Sequence, residues 1–321
     1  MRTLYIIGNG FDLFHSLPTS YKDFQKYLSS QKNAVELMYS LNNYFDGDVW
    51  SDFETAFGKF SIKRFLYDNE HLLPDENSDR DGERYILPDY AENVIKNLIV
   101  DLYNKLNDWI VNINNYSVDR KLLSFEKSSF FLTFNYTDTL ERVYNILESN
   151  ILHLHGQADK RYEYKNHPGY CFEQEIRDTE IIFGHAFNPL DCKTIAPEKK
   201  GASAFVEAET IDKLLLFFHK TMKNTTHVMQ RNSYFFDIHN LSQFDKIVIF
   251  GHSMSEIDLP YFRKILSNTI NVKKMIISYY QENKRKNIEQ VVSSLKFKGE
   301  KTFVNLELID DIECFDVLWN M

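Results

Sequence analysis

Short apolar runs recur along this chain, and they have the length of strands rather than of helices. Leu4, Tyr5, Ile6 and Ile7 are apolar without alternation, as a strand covered on both faces should be. The same pattern predicts strands at 130–134, 151–156, 181–185, 246–250 and 275–279, with a last one near 303–308. Between them the spacing turns helical. Over 21–45, Phe24, Tyr27, Leu28, Leu37, Met38, Leu41 and Phe45 recur on one side, and Ser20 with Asp23 forms a capping pair at the start. Trp50 to Glu54 opens another helix, where Asp52 and Glu54, two apart, should point in different directions. Ile95, Leu98, Ile99, Leu102, Leu106, Trp109 and Ile113 draw the apolar stripe of a long amphipathic helix over 90–113. Further helices are expected over 140–147, 203–230 and 282–295 and at the C-terminus. The stretch 67–89, with Pro74, Pro88 and a run of acids, reads as a solvated loop.

Strands alternating with helices predict an α/β fold: a Rossmann-like parallel sheet with right-handed crossovers. The expected organisation is one domain over 1–321, with mainly helical insertions at about 20–128 and 186–244. A chain of 321 residues, 43% hydrophobic and 26% charged, can bury a core of that size. The formal net charge of −9 argues against a general nucleic-acid or anionic-membrane surface. No apolar stretch approaches the ~20 residues of a membrane span, and the N-terminus lacks the pattern of a signal peptide. Three widely spaced cysteines indicate neither a disulfide framework nor a Cys-x-x-Cys zinc site. A reducing cytoplasm is the expected compartment.

The chemistry lies where the strands end. Gly8-Asn9-Gly10-Phe11-Asp12 follows the first strand, and Asn135 and Asp138 follow the second. His153 and His155 close the third, with His185 and Asn188 after the next; Gly251, His252, Ser253 and Asp258 follow the strand at 246–250. In open α/β sheets, ligands bind at these carboxyl ends, where the strand order reverses. Gly8 and Gly10 would allow a tight turn and close approach to a phosphate, although Leu13 stands where a dinucleotide fingerprint has its third glycine.

The motifs Gly8-Asn9-Gly10-Phe11-Asp12, Leu17-Pro18-Thr19-Ser20-Tyr21, Trp50 with Asp52 and Glu54, Asn135-Tyr136-Thr137, His153-Leu154-His155-Gly156 and the run from Gly251 to Asp258 resemble the AbiH-type bacteriophage abortive-infection family. That resemblance implies a bacterial anti-phage role. A more distant likeness is to sirtuin-like NAD-binding domains, through Gly8-Asn9-Gly10, Leu17-Pro18, Thr133-Phe134-Asn135, His155-Gly156 and Gly251-His252-Ser253. The chain departs from the protein deacylases of that group. It lacks the four-cysteine zinc module, Thr19-Ser20-Tyr21 replaces Asp-Phe-Arg, and Asp138 stands three rather than two residues after Asn135. What the likeness implies is the NAD-cleaving branch of sirtuin-like defence proteins.

On that reading NAD is the substrate and no metal is expected. Asn135 hydrogen-bonds the ribose or the attacking water, and His155 is a general base near its ordinary pKa of ~6.5. Gly8, Asn9, Gly10, Asp12, Gly251, His252, Ser253 and Asp258 bind the dinucleotide. The Gly8–Gly10 turn carries the pyrophosphate, and Asp12 or Asp258 stabilises positive charge. Expected partners are a small-molecule nucleotide, a phage-derived trigger and a second copy of the chain. Two other readings fit the same tips. Asp12, Asn135, His155, His185 and His252 include the ligand types of a two-metal phosphohydrolase or nuclease. Alternatively, the site senses a nucleotide without catalysis and signals to a partner.

Overall fold

The structure, a computed structural model, describes residues 2–74, 81–118, 123–126, 129–159, 181–185 and 201–306. Six strands make one sheet: β1 (Thr3–Ile7), β2 (Phe130–Thr133), β3 (Ile151–His153), β4 (Lys246–Phe250), β5 (Lys274–Tyr279) and β6 (Glu300–Asn305). All pair in parallel, in the order β3-β2-β1-β4-β5-β6. Ile6 lies opposite Leu132 on one side and Ile249 on the other. Strand β1 is buried along its whole length because both faces are covered. Leu4 and Ile6 join Leu132, Ile249 and Ile277 in the core on one face, while Tyr5 and Ile7 pack with Phe131, Val248 and Phe250 on the other.

The helices are α1 (Asn9–Phe14), α2 (Tyr21–Ser30), α3 (Val35–Asn43), α4 (Phe53–Phe57), α5 (Ile62–Asp68), α6 (Ile86–Ile113) and α7 (Thr139–Tyr144). They continue with α8 (Ala202–Thr221), α9 (Thr225–Arg231), α10 (Ser233–Phe236), α11 (Ile238–Leu241), α12 (Leu259–Asn268) and α13 (Glu282–Ser294). Helices α2 to α6, inserted between β1 and β2, share a third core with α8, built on Phe24, Phe53, Phe57, Phe65, Leu102, Leu214 and Phe217. The fold is therefore α/β and Rossmann-like, with a parallel sheet and helical insertions.

Local differences from the sequence reading have physical causes. The segment 181–185 adds no strand to the sheet: its one ladder contact is a bridge from His185 to Met222. Ile181 and Phe183 instead bury themselves in the helical core. Gly184 holds φ +156 against the end of α8, where a Cβ would fall 1.8 Å from the Thr221 carbonyl oxygen. The helix expected over 203–230 is two, α8 and α9. Asn224 restarts the second by accepting the His227 N–H at 3.0 Å. The acidic stretch is no continuous loop either, since α5 reaches Asp68 and α6 begins at Ile86 with Leu87 and Pro88 buried. Helix α12, which follows Asp258, adds to the elements read from the sequence. The expected C-terminal helix, residues 186–200 and Asn188 lie outside the described residues.

Candidate functional site

The site begins where the neighbouring strands β1 and β4 end. The Gly8 N–H donates to the Phe250 carbonyl at 2.9 Å, and the Gly10 N–H to the Gly251 carbonyl at 2.7 Å. The two following loops therefore cross in backbone contact. A Cβ on Gly8 would lie 2.6 Å from His252 Cα, and one on Gly10 would lie 2.7 Å from Gly251 Cα. Gly251 itself sits at φ +66. With the Phe11 N–H also bound to the Gly8 carbonyl, these amides are engaged inside the protein. The crossing of the two loops is by itself a reason for glycine at both positions, beside the expected phosphate turn at Gly8–Gly10.

Beside the crossing, Asp12 ties β1 to β2. Its buried carboxylate accepts from Thr137 Oγ1 at 2.7 Å, Thr139 Oγ1 at 2.8 Å and Asn135 Nδ2 at 3.1 Å. Burial pushes the Asp12 carboxyl up to about 6, against the pull of the two threonine bonds. Asn135 Nδ2 also reaches the Gly8 carbonyl at 3.1 Å, so the amide is oriented from both sides. Asn9 bridges to the Thr19 carbonyl at 2.8 Å.

The inner end of the site is a cluster of charge. Lys223, at the break between α8 and α9, places Nζ 3.0 Å from Glu54 Oε1 and 3.1 Å from Asp258 Oδ1. Its backbone is held by a hydrogen bond to the His185 carbonyl, and the His185 N–H donates to Thr221. Burial opposes the ammonium, but Glu54 and Asp258 together overcome it and raise the lysine above its usual range. Burial also opposes an ionised Asp258, yet Lys223 and the two neighbouring histidines hold its carboxyl down at about 2. Glu54 is pushed the other way, chiefly by burial and reinforced by Asp258.

His155 Nε2 stands 4.0 Å from Asp258 Oδ1 and has no hydrogen-bond partner among the described residues. Burial, with the charge of Lys223 behind it, drives this imidazole well below its ordinary pKa, so it is neutral. That corrects the expectation of a base near ~6.5, which assumed a solvated ring. His252 is also neutral, lowered to about 4 by burial. Its Nδ1 accepts the Met254 N–H at 2.8 Å, its Nε2 lies 3.6 Å from Asp258 Oδ2, and Phe134 packs on the ring.

These groups border a cleft of about 530 Å³, within the range of small-molecule sites. All ten residues singled out for catalysis or nucleotide binding line it: Gly8, Asn9, Gly10, Asp12, Asn135, His155, Gly251, His252, Ser253 and Asp258. His153 instead pairs with Glu141 at 2.7 Å, and the His185 ring packs near Phe57 and Phe218. The sequence reading missed Lys223, hidden by the assumption of an unbroken helix; Asn224-Thr225-Thr226 was the signal of a restart. It also separated Asp52 from Glu54, yet both line the cleft. Asp52 is the cap of α4, outside its helical turn, where it accepts the Thr55 N–H at 3.2 Å. Trp109 and Lys284 are among the further lining residues that were not foreseen.

Fold and site together define a doubly wound α/β protein whose cleft lies at the β1/β4 switch point, the ligand position of that architecture. The family model described as Bacteriophage abortive infection AbiH matches residues 4–281, and the chain belongs to that family. Its role is accordingly in abortive-infection defence against bacteriophage. Neither a curated protein nor a solved structure matches the chain. Among the described residues, no helix is long and apolar enough to cross a membrane. No group of three or more His, Cys, Asp or Glu side chains among them is disposed to hold a metal ion.

Proposed function

We propose that this abortive-infection protein binds NAD in the β1/β4 cleft and hydrolyses it to nicotinamide and ADP-ribose in the cytoplasm of the infected cell. The observation that carries this reading is the pair of carboxylates Glu54 and Asp258 around one ammonium, beside Asn135 and a neutral His155. When the C1′–N bond breaks, its electron pair passes to the pyridinium nitrogen, and nicotinamide leaves neutral without an acid. The positive charge passes to the ribose. Buried, oriented carboxylates stabilise that charge strongly, and Asp258 is ionised at every physiological pH. Water then forms the C1′–O bond and gives its proton to His155. A weak base suffices there, because the ribosyl cation is strongly electrophilic, and Asp258 Oδ1 lies 4.0 Å away to stabilise the imidazolium. Asn135 Oδ1 is the remaining acceptor of its amide and suits a ribose hydroxyl or the water.

The metal-dependent alternative draws less support. Asp12 already takes three donors, and the His185 ring packs among aromatic rings of the helical core. Purified protein incubated with NAD should release nicotinamide at the same rate with and without EDTA. Glu54→Gln should lower turnover by ~10²–10⁴-fold and abolish protection of cells from phage. Binding without nicotinamide release would favour a sensor, and products appearing only with added metal would favour the phosphohydrolase.

A further inference from the structure

The cleft has an electrostatic polarity that fixes which end of a nucleotide enters first. Its lining includes four carboxylates, Asp12, Asp52, Glu54 and Asp258, against two lysines. Lys223 is held between Glu54 and Asp258, with its side chain 1% exposed. Lys284, in the first turn of α13 after β5, is exposed at the cleft and makes no ion pair among the described residues. Its neighbour Arg285 is turned to Glu282 and Glu289 instead. Ser253, also exposed and lining the cleft, follows the neighbouring strand β4.

A phosphate placed at the inner end would meet Glu54 and Asp258, and like charges at that range are strongly unfavourable. The amides of Gly8, Gly10 and Phe11 do not draw it there either, since each already has an acceptor. We infer that the cleft takes a phosphate-bearing nucleotide ribose-first, with its phosphates at the rim on Lys284 and the Ser253 hydroxyl. This subsite rests on the proposed binding of NAD but not on its hydrolysis. Lys284 is thus a specificity-determining residue. Lysine suits the role as a flexible point charge that reaches phosphate from an exposed stem. The Glu54–Lys223–Asp258 cluster then discriminates by repulsion, turning away ligands that present the phosphate inward.

The test is calorimetric titration of the full chain with ADP-ribose, which carries both phosphates and no scissile bond, and with nicotinamide riboside, which carries none. Lys284→Ala should weaken ADP-ribose binding by about tenfold or more, the scale of one hydrogen bond to a charged group. Lys284→Arg should restore most of it, and the affinity for nicotinamide riboside should be the same in all three proteins. Raising the salt concentration should weaken ADP-ribose binding in the wild type more than in Lys284→Ala. Equal ADP-ribose affinity in wild type and Lys284→Ala would overturn the subsite even if NAD is hydrolysed. A tenfold loss in a protein that never releases nicotinamide would keep the subsite and remove the glycohydrolase reading. A wild type that binds no ADP-ribose overturns the subsite, while nicotinamide release decides the glycohydrolase reading separately.

Discussion

His252 shows how one residue's burial becomes a property of the whole protein. Its ring is 6% exposed, accepts the Met254 N–H and is held down to about 4. In the unfolded chain it would titrate near ~6.5. Below that pH the unfolded state gains a proton that the folded state refuses, so stability is lost as pH falls from ~6.5 towards 4. Asp12 works in the opposite direction. Its folded value of about 6 lies above the unfolded ~3.9, so its contribution is present at low pH and lost as pH rises through 6. The two oppose each other in a wild-type profile, and a difference measurement isolates the histidine. His252→Asn keeps an acceptor for Met254 and removes the titration. Between pH 7.5 and pH 5, wild type should lose about 2 kcal/mol more unfolding free energy than His252→Asn, read from urea transitions at each pH. Parallel profiles would mean that His252 is not a buried neutral ring.

At the scale of elements, the contact between the loops after β1 and β4 decides how the glycines should be read. A Gly-x-Gly after a buried strand suggests a phosphate turn, but here the missing side chains make room for another backbone. Gly10→Ala sets a Cβ 2.7 Å from Gly251 Cα and 2.8 Å from its carbonyl oxygen, and neither can rotate away. Overpacking of this kind costs about 1–3 kcal/mol or more, so the variant should melt several degrees below wild type. Gly82→Ala meets nothing within 4 Å and should melt with the wild type, providing the control. If Gly10→Ala kept its melting temperature and lost only nucleotide binding, the turn would be a ligand cradle after all.

For the whole molecule, Lys223 is the point where three parts of the chain meet. Glu54 comes from the insertion between β1 and β2, Lys223 from the break after α8, and Asp258 from the loop after β4. Removing one member of a buried ion cluster leaves uncompensated charge, typically at a cost of about 3–5 kcal/mol. Lys223→Met should therefore be strongly destabilised in urea. Adding Glu54→Gln to it should recover part of the loss, because one of the two stranded carboxylates is gone. A Lys223→Met protein as stable as wild type would show that the cluster does not hold the insertions to the sheet.

Much of this architecture was legible in the chain itself. Unbroken apolar runs marked β1, β2, β4 and β5, because a central parallel strand is covered on both faces and has no solvent side to encode. The stripe from Ile95 to Ile113 marked α6 for the corresponding reason, and polar residues after the strands marked the cleft. Periodicity reports only how buried each position is, however, and not what lies against it. The apolar run at 181–183 reads as a strand, and only packing shows that Ile181 and Phe183 turn into the helical core while Ile182 meets the end of β3. Asp52 and Glu54 share the cleft because one lies just outside the helix that holds the other. Lys223 and Lys284 look like any surface lysine in sequence. One is buried between Glu54 and Asp258, more than 30 residues away on either side, and the other stands at the rim of their cleft. Those meetings depend on which loops close on one another, and no local pattern carries that information.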